Sequence, residues 1–143
     1  MFTGKFEYKT VIDQPIGEVW AFFSNNNNLA TITGFPKVIV RGNDEVKKGS
    51  KVLLELNFII MRLNWQGRIV DVNEKESFTD VGEKVPFPFR LWSHTHRFNS
   101  KGDKTMMVDE VTFRSWIPAP FIKVMLYGMF MDRKRQIRKM GRL

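Results

Sequence analysis

The spacing of apolar positions changes from every second residue to every third or fourth near residue 13. Phe6, Tyr8 and Ile12 alternate with polar neighbours, which is the period of a strand. After Pro15, a residue type favoured at the first helical position, apolar side chains recur at helical spacing. These are Ile16, Val19, Trp20 and Phe23. The pattern therefore predicts a strand and then a short helix that ends at the run Asn25 to Asn28, because Asn prefers turns to helix interiors.

From Pro36 to about Phe113 the pattern predicts strands separated by turn residues. The strands before the last two are predicted at residues 37–41, 51–60, 63–73 and 77–85. Connections this short favour antiparallel neighbours. After Pro118, a long apolar and then basic stretch predicts a helix from about Pro120 to about Met140. The fold class is therefore α+β, with an antiparallel sheet of about seven strands and a long C-terminal helix across it.

The last two strands are predicted as a β-hairpin from Phe87 to Pro118 that carries both histidines of the chain. In its first arm, even-numbered side chains share one face of the sheet because the period of a strand is two. Those side chains are Trp92, His94, His96 and Phe98. The face is otherwise aromatic and aliphatic, so it predicts an apolar cavity that contains a few polar groups.

The register of the hairpin follows from its turn, Ser100 to Asp103, in which Gly102 can take a positive φ. If Lys101 and Gly102 form the loop, each residue lies opposite a defined partner on the second arm. His94 then lies opposite Asp109, His96 opposite Met107 and Trp92 opposite Val111.

Composition narrows the class of protein. A length of 143 residues predicts one domain, residues 1–143. With 43% hydrophobic and 27% charged residues, the composition is that of an ordinary globular protein. The chain has no cysteine, which excludes disulfides, a thiolate nucleophile and a cysteine zinc site. Residues 1–8 lack the apolar core of a signal peptide, so we expect a cytoplasmic protein.

The formal charge of +8 is concentrated at the C-terminus. From Asp132 to Leu143 the chain has six basic residues and one acidic residue. These cations could contact anionic lipid headgroups weakly, or they could simply stabilise the end of a helix. The segment has no phosphate-binding loop, no recognition motif and little aromatic interleaving, so we expect no nucleic-acid partner.

Several segments, in this order, resemble the START-like (SRPBCC, helix-grip) superfamily, and especially its small bacterial polyketide cyclase/dehydrase-like and lipid-transport-like members. The segments are Ile12 to Phe23, Phe78 to Asp80, Pro86-Phe87, Trp92 to Phe98, Thr105 to Val111 and Phe130 to Ile137. Where those members have Gly-Pro-Phe, this chain has Val85-Pro-Phe87. The resemblance implies a curved sheet wrapped on the C-terminal helix, with a cavity between them for an apolar ligand. It does not imply a single function.

We therefore predict binding of a small apolar or amphipathic ligand, with no cofactor. The predicted ligand-binding residues are Trp92, His94, His96, Phe98, Asp109, Asp80, Trp65, Met107 and Met125. The alternative is a cyclase/dehydrase-type enzyme in which His94 is the acid/base and Asp109 fixes its tautomer. A His-x-His pair can also bind zinc with Asp80 or Asp109 as a third ligand, but the usual number of ligands is not visible, so no metal is predicted. The sequence leaves the ligand and the oligomeric state open.

Overall fold

A computed structural model describes residues 1–42 and 45–143. Its elements are β1 (Phe2–Ile12), α1 (Ile16–Phe23), α2 (Asn27–Thr31), β2 (Lys37–Arg41), β3 (Lys51–Asn57), β4 (Arg62–Asn73), β5 (Ser77–Lys84), β6 (Phe89–Lys101), β7 (Lys104–Ser115) and α3 (Ala119–Met140). Within those described ranges, no helix combines the length and apolar character needed to cross a membrane.

The strands form one antiparallel sheet of seven strands in the order β1-β7-β6-β5-β4-β3-β2. Apart from β1, which pairs with β7, each strand pairs with its neighbour in sequence. Helix α3 packs against this sheet. The predicted α+β class, the number of strands and the long C-terminal helix are confirmed.

Helix α3 buries one narrow row of apolar side chains against the sheet. Its buried apolar residues are Ile122, Leu126, Phe130 and Ile137. Residues three and four apart lie on one side of a helix, so this row is a single stripe. The apolar residues off the stripe, among them Val124 and Tyr127, are exposed.

The buried apolar residues form two clusters. The first surrounds the end of α1 and includes Phe78, Phe98, Met107 and Ile137. The second lies under the first half of α3 and consists of Val111, Phe113, Ile122, Leu126 and Phe130. Four elements, β5, β6, β7 and α3, extend across the space between these clusters, and that space holds the candidate site described below.

The predicted hairpin register is wrong by two residues. The two loop residues are Gly102 and Asp103, because Lys101 pairs with Lys104 and Gly102 has a φ of 68°. A glycine at the first loop position supplies the positive φ that such a turn requires. His94 consequently lies opposite Val111, His96 opposite Asp109 and Trp92 opposite Phe113. A shift of two keeps every side chain on its predicted face.

The strand predicted at residues 51–60 is also too long. β3 ends at Asn57, and residues 58–61 form a turn in which the Phe58 amide donates to the Met61 carbonyl at 2.9 Å. The apolar residues Ile59 and Ile60 extend the strand pattern past the point where the chain reverses. Their place in the turn leaves both side chains exposed.

Candidate functional site

Five polar side chains lie between the two apolar clusters, and we call them the polar layer: Asp80, His94, His96, Asp109 and Arg133. On β7, Asp109 is the inward residue between Met107 of the first cluster and Val111 of the second. The same sequence of apolar, polar and apolar inward positions occurs on α3. There Arg133 lies between Phe130 and Ile137.

Asp109 is the centre of the polar layer and is only 1% exposed. Its Oδ1 atom lies 2.8 Å from Nε2 of His94, 3.4 Å from Nδ1 of His96 and 3.4 Å from Nη1 of Arg133. On the other side of His96, Nε2 lies 3.0 Å from Oδ2 of Asp80. The groups therefore form a continuous chain of opposite charges and hydrogen bonds across the inner face of the sheet.

The two imidazole rings are held by stacking as well as by hydrogen bonds. The ring centroids of His94 and His96 are 3.7 Å apart, and those of His96 and Phe78 are 4.1 Å apart. The rings of Phe130 and Trp92 meet His94 edge-on, with centroids 5.7 Å and 6.0 Å away. These contacts fix both ring planes, which is a condition for positioning a ligand or a proton.

Contact between His94 and Asp109 arises in spite of the error in register. The two residues are diagonal neighbours on adjacent strands, and diagonal pairs remain within reach of long or aromatic side chains. Asp80 lies directly opposite His94 in the register of β5 and β6 but bonds to His96. Asp80 lies inside strand β5, and its side chain is 19% exposed.

The structure adds Arg133 to the predicted set. Its guanidinium carbon lies 5.2 Å from the ring centroid of Phe23 and 5.4 Å from that of Phe130, so the cation lies between two aromatic faces. In the sequence, Arg133 is one of the six basic residues between Asp132 and Leu143, and its place in the polar layer was not predicted. The signal was present in the spacing, because 126, 130, 133 and 137 follow the alternating four- and three-residue steps of a buried helical stripe.

The electrostatics of the layer separate the protonation states of its members. Burial alone would raise the pKa of Asp109, but Arg133 and the two histidines hold that pKa far below its usual range. Burial lowers the pKa of His94, and the neighbouring His96 lowers it further. For His96 the effect of burial is outweighed by its contacts with Asp109 and Asp80, which raise its pKa. Of the two rings, His94 is therefore the one whose neutral form is favoured, and His96 is the one that binds a proton more readily.

Neutral His94 presents a defined tautomer. Its Nε2 lies against the carboxylate of Asp109 and therefore carries the proton, which leaves Nδ1 with a lone pair. Among the described residues, Nδ1 of His94 has no hydrogen-bond partner. Two buried atoms of the layer, Nδ1 of His96 and Nε of Arg133, also lack a partner with good hydrogen-bond geometry. The layer therefore has unused capacity both to accept and to donate hydrogen bonds.

Other predicted ligand-binding residues occupy different places. Trp65 and Trp92 are half-buried and meet edge-on with ring centroids 5.2 Å apart, next to the second cluster. Phe98 and Met107 lie opposite each other within the first cluster. Met125 lies one residue off the buried stripe of α3 and is 41% exposed, and its contact with a ligand stays a prediction.

The polar layer is closed in this conformation. His94 and His96 are each 7% exposed, with Phe130 and Arg133 of α3 packed over them. Two concavities of the described residues lie elsewhere. One is bordered by residues of β1 and β7, and the other by residues of β2, β3 and β4. A molecule that reaches the layer must therefore displace side chains of α3.

Asp80, His94 and His96 are a group whose potential metal-ligating atoms all lie within 4.8 Å of one another. One nitrogen of each histidine, Nε2, is already bonded to a carboxylate, and the cation Arg133 lies beside Asp109. A zinc ion would have to compete with these bonds or use the Nδ1 atoms, and it would lie near a guanidinium. The arrangement fits an ion-pair chain better than a metal centre.

The order of elements, the seven-stranded sheet and the long helix together define the START-like helix-grip fold. Solved structures share it over nearly the whole chain. Major latex-like protein 151 from Panax ginseng has a TM-score of 0.76 at 15% identity and covers 100% of this chain and 99% of its own. The Zhui aromatase/cyclase from Streptomyces sp. R1128 has a TM-score of 0.71 at 15% identity, covering 94% and 88%.

Norcoclaurine synthase from Thalictrum flavum has a TM-score of 0.68 at 12% identity, covering 97% of this chain and 86% of its own. No family model and no curated protein matches the chain. At these identities the likeness establishes the fold, which supports a bound ligand or a catalysed reaction equally well.

Proposed function

We propose that this protein binds a small apolar or amphipathic molecule between the sheet and α3, and that the polar layer orients the polar end of that molecule. The observation that carries the proposal is a group of five ionisable side chains between two apolar clusters, of which His94, His96 and Asp109 are buried and the other two partly buried. Apolar residues in place of a buried ion-pair network are often neutral or stabilising, so stability alone does not account for the layer. A ligand with a polar end would use the layer, and its apolar part would contact the clusters.

The structural neighbours support this class of ligand. A solved structure of norcoclaurine synthase holds dopamine and hydroxybenzaldehyde, both small aromatic molecules with polar substituents. In this chain, the apolar clusters on either side of the layer would supply most of the affinity, at about 25 cal/mol per Å² buried before the costs of association.

Entry of the ligand requires α3 to move. Phe130 and Arg133 of that helix cover the histidines. Opening breaks the contact between Arg133 and Asp109 and separates the buried stripe from the sheet, so the interactions of the bound ligand have to offset that cost. Displacing the middle of α3 would expose Nδ1 of His94 and the guanidinium of Arg133 together.

Native mass spectrometry of the freshly purified protein, followed by denaturing extraction, tests for a bound molecule directly. In parallel, titration with the amphipathic anion anilinonaphthalene sulfonate measures binding by fluorescence. We expect Arg133→Gln to weaken binding of this probe about tenfold, the size expected for a lost charge-assisted hydrogen bond. Arg135→Gln, an exposed change two residues further on, serves as the matched control. A protein that carries no molecule and does not bind the probe would contradict the proposal.

A second candidate is an enzyme of cyclase type. It is favoured by the lone pair on Nδ1 of neutral His94, because Asp109 lies on the opposite side of that ring. In that reaction Nδ1 takes a proton from a carbon next to a carbonyl group. The C–H electron pair becomes that of an enolate, and His94 becomes an imidazolium that Asp109 stabilises. The Streptomyces aromatase/cyclase supports this candidate by its fold.

Deuterium exchange at the central carbon of a β-diketone probe, followed by NMR, tests the enzyme hypothesis. His94→Asn should abolish protein-dependent exchange and leave the circular dichroism spectrum unchanged. Thr95→Ser, a change on the outer face of the same strand, should exchange like the unmodified protein. Exchange that persists in His94→Asn rules out His94 as the base.

Two further proposals concern the basic C-terminal segment and the cellular location. Of the six cations, Arg133 is turned into the polar layer and Arg142 contacts Glu18. Exposed cations such as Arg135, Arg138 and Lys139 would provide any weak contact of this helix with an anionic membrane. We place the protein in the cytoplasm, without a cofactor and without a nucleic-acid partner, on the sequence arguments given above.

A further inference from the structure

One end of the sheet gathers four connections whose exposed residues are mostly apolar or basic. In an antiparallel sheet, the β3–β4 turn, the β5–β6 loop, the β7–α3 connection and the segment that leads into β2 all lie at the same edge. We call residues 33–37, 57–62, 83–90 and 114–123 the loop end. Contacts join its parts: the Trp116 amide donates to the Pro88 carbonyl at 2.9 Å, and the rings of Phe35 and Phe58 have centroids 5.7 Å apart.

The tips of these connections are large apolar side chains with little cover. Ile59 is 86% exposed and Ile60 is 89% exposed, while Phe87 and Phe121 are 72% and 69% exposed. Scattered exposed apolar residues are ordinary, but several on one edge mark a contact surface. The turns at the opposite edge, residues 13–18, 71–76 and 101–104, expose no large apolar side chain.

The loop end is also strongly basic. Its ionisable side chains are Lys37, Arg62, Lys84, Arg90, Arg114, Lys123 and Glu83, which is six cations against one anion. That one anion, Glu83, is paired with Arg68 at 3.2 Å. The opposite turns have six acidic and three basic residues. The loop end is therefore cationic and apolar, whereas the three opposite turns are polar and have an excess of acidic residues.

The turn between β3 and β4 contains an unfavourable backbone conformation. Ile59 has a φ of 76°, a region that a β-branched residue rarely occupies because its Cβ crowds the backbone. Folding gains nothing from this side chain, which is almost fully exposed. A glycine or asparagine would fit the turn better, so the stability of the turn does not explain why this residue is an isoleucine.

We propose that the loop end docks on an anionic lipid bilayer, with Ile59 and Ile60 inserted at the headgroup boundary and the surrounding cations on the lipid phosphates. Aliphatic tips within a ring of Lys and Arg match both parts of that interface, its apolar interior and its negative surface. Nucleic acid would match the cations but not the aliphatic tips. This surface is distinct from the basic C-terminal helix and from the polar layer, and the inference stands whether or not the proposed ligand exists.

Flotation with vesicles tests the inference on the intact chain. The vesicles are phosphatidylcholine alone or equal parts of phosphatidylcholine and phosphatidylglycerol. We expect binding to the anionic vesicles only, weakened by added salt. The double variant Ile59→Asn, Ile60→Ser should bind at least about tenfold more weakly, because two apolar side chains no longer enter the bilayer. Its thermal midpoint should equal or exceed that of the unmodified protein, since asparagine tolerates the positive φ.

The matched control is Val11→Ser, which removes an exposed aliphatic side chain near the opposite edge of the sheet and should not change binding. No binding to anionic vesicles at low salt overturns the inference. Equal binding by the double variant also overturns it, and a loss on changing Arg135, Arg138 and Lys139 to Gln would then assign the contact to the C-terminal helix. If the unmodified protein is a dimer that the double variant dissociates, the surface belongs to a second copy and the inference is wrong.

Discussion

Replacing Asp109 by Asn should destabilise the fold by about 3–5 kcal/mol, the usual cost of removing one member of a buried ion pair. Asparagine has almost the same shape, so no cavity forms and the cost is electrostatic. The carboxylate is 1% exposed and faces Arg133 at 3.4 Å and His94 at 2.8 Å. Without it, the guanidinium stays buried with no counter-charge, and the preferred tautomer of His94 loses its acceptor.

That cost is a large part of a total stability of roughly 5–15 kcal/mol. Urea unfolding followed by circular dichroism measures it as a lower midpoint at constant slope. The control is Asp80→Asn, which affects a partly exposed side chain bonded only to His96 and should cost about 1–2 kcal/mol.

A double-mutant cycle identifies the cause. In Asp109→Asn with Arg133→Met, neither charge remains, so the double variant should be more stable than Asp109→Asn alone. The reasoning is refuted if Asp109→Asn unfolds at the midpoint of the unmodified protein. It is refuted equally if the costs of the two single changes simply add.

Three further predictions concern other parts of the chain. The pKa of His96 is raised, so its contribution to stability is complete below the unfolded pKa of about 6.5 and is lost as pH rises through the folded pKa. Urea midpoints measured across that pH range should fall less in Asp80→Asn than in the unmodified protein. An equal fall in both proteins would contradict a role of Asp80 in raising that pKa. Leu126→Ala should cost about 2–5 kcal/mol because Leu126 is buried in the stripe of α3, whereas the exposed Val124→Ala should stay within about 0.5 kcal/mol in the same assay. Ile59→Gly should raise the free energy of unfolding by about 1 kcal/mol, and with it the thermal midpoint, because glycine adopts a positive φ without strain. An unchanged or lower midpoint would argue against strain at this residue.

The sequence predicted the elements well because their hydrophobic periods are clear. Parity alone placed His94, His96 and Asp109 on the inner face, and an error of two residues in register could not change that. The register itself was not predictable, since the turn Ser100 to Asp103 allows Gly102 at either loop position. The choice depends on pairing along the whole hairpin and not on the turn alone.

Side chains of α3 were predicted less well, because composition there misleads. The basic run after Asp132 is typical of a solvated face, and Arg133 differs from its neighbours only by its position on the buried stripe. Met125 was predicted to bind the ligand because it is apolar, and its position one residue off the stripe leaves it 41% exposed. The charge balance of the polar layer could not be predicted, because it depends on distances between residues far apart in the chain.

The charges of the polar layer determine whether a ligand binds together with a proton. When His96 is protonated and His94 is neutral, which is the order that their pKa shifts favour, the two carboxylates are matched by one imidazolium and one guanidinium. An anionic group placed against Nδ1 of His94 would favour protonation of that ring, so binding would take up a proton from the buffer. The affinity would then fall as pH rises, and the heat of binding would change with the ionisation enthalpy of the buffer. A neutral ligand would do neither, so calorimetry in two buffers would reveal the charge of the ligand before its structure is known.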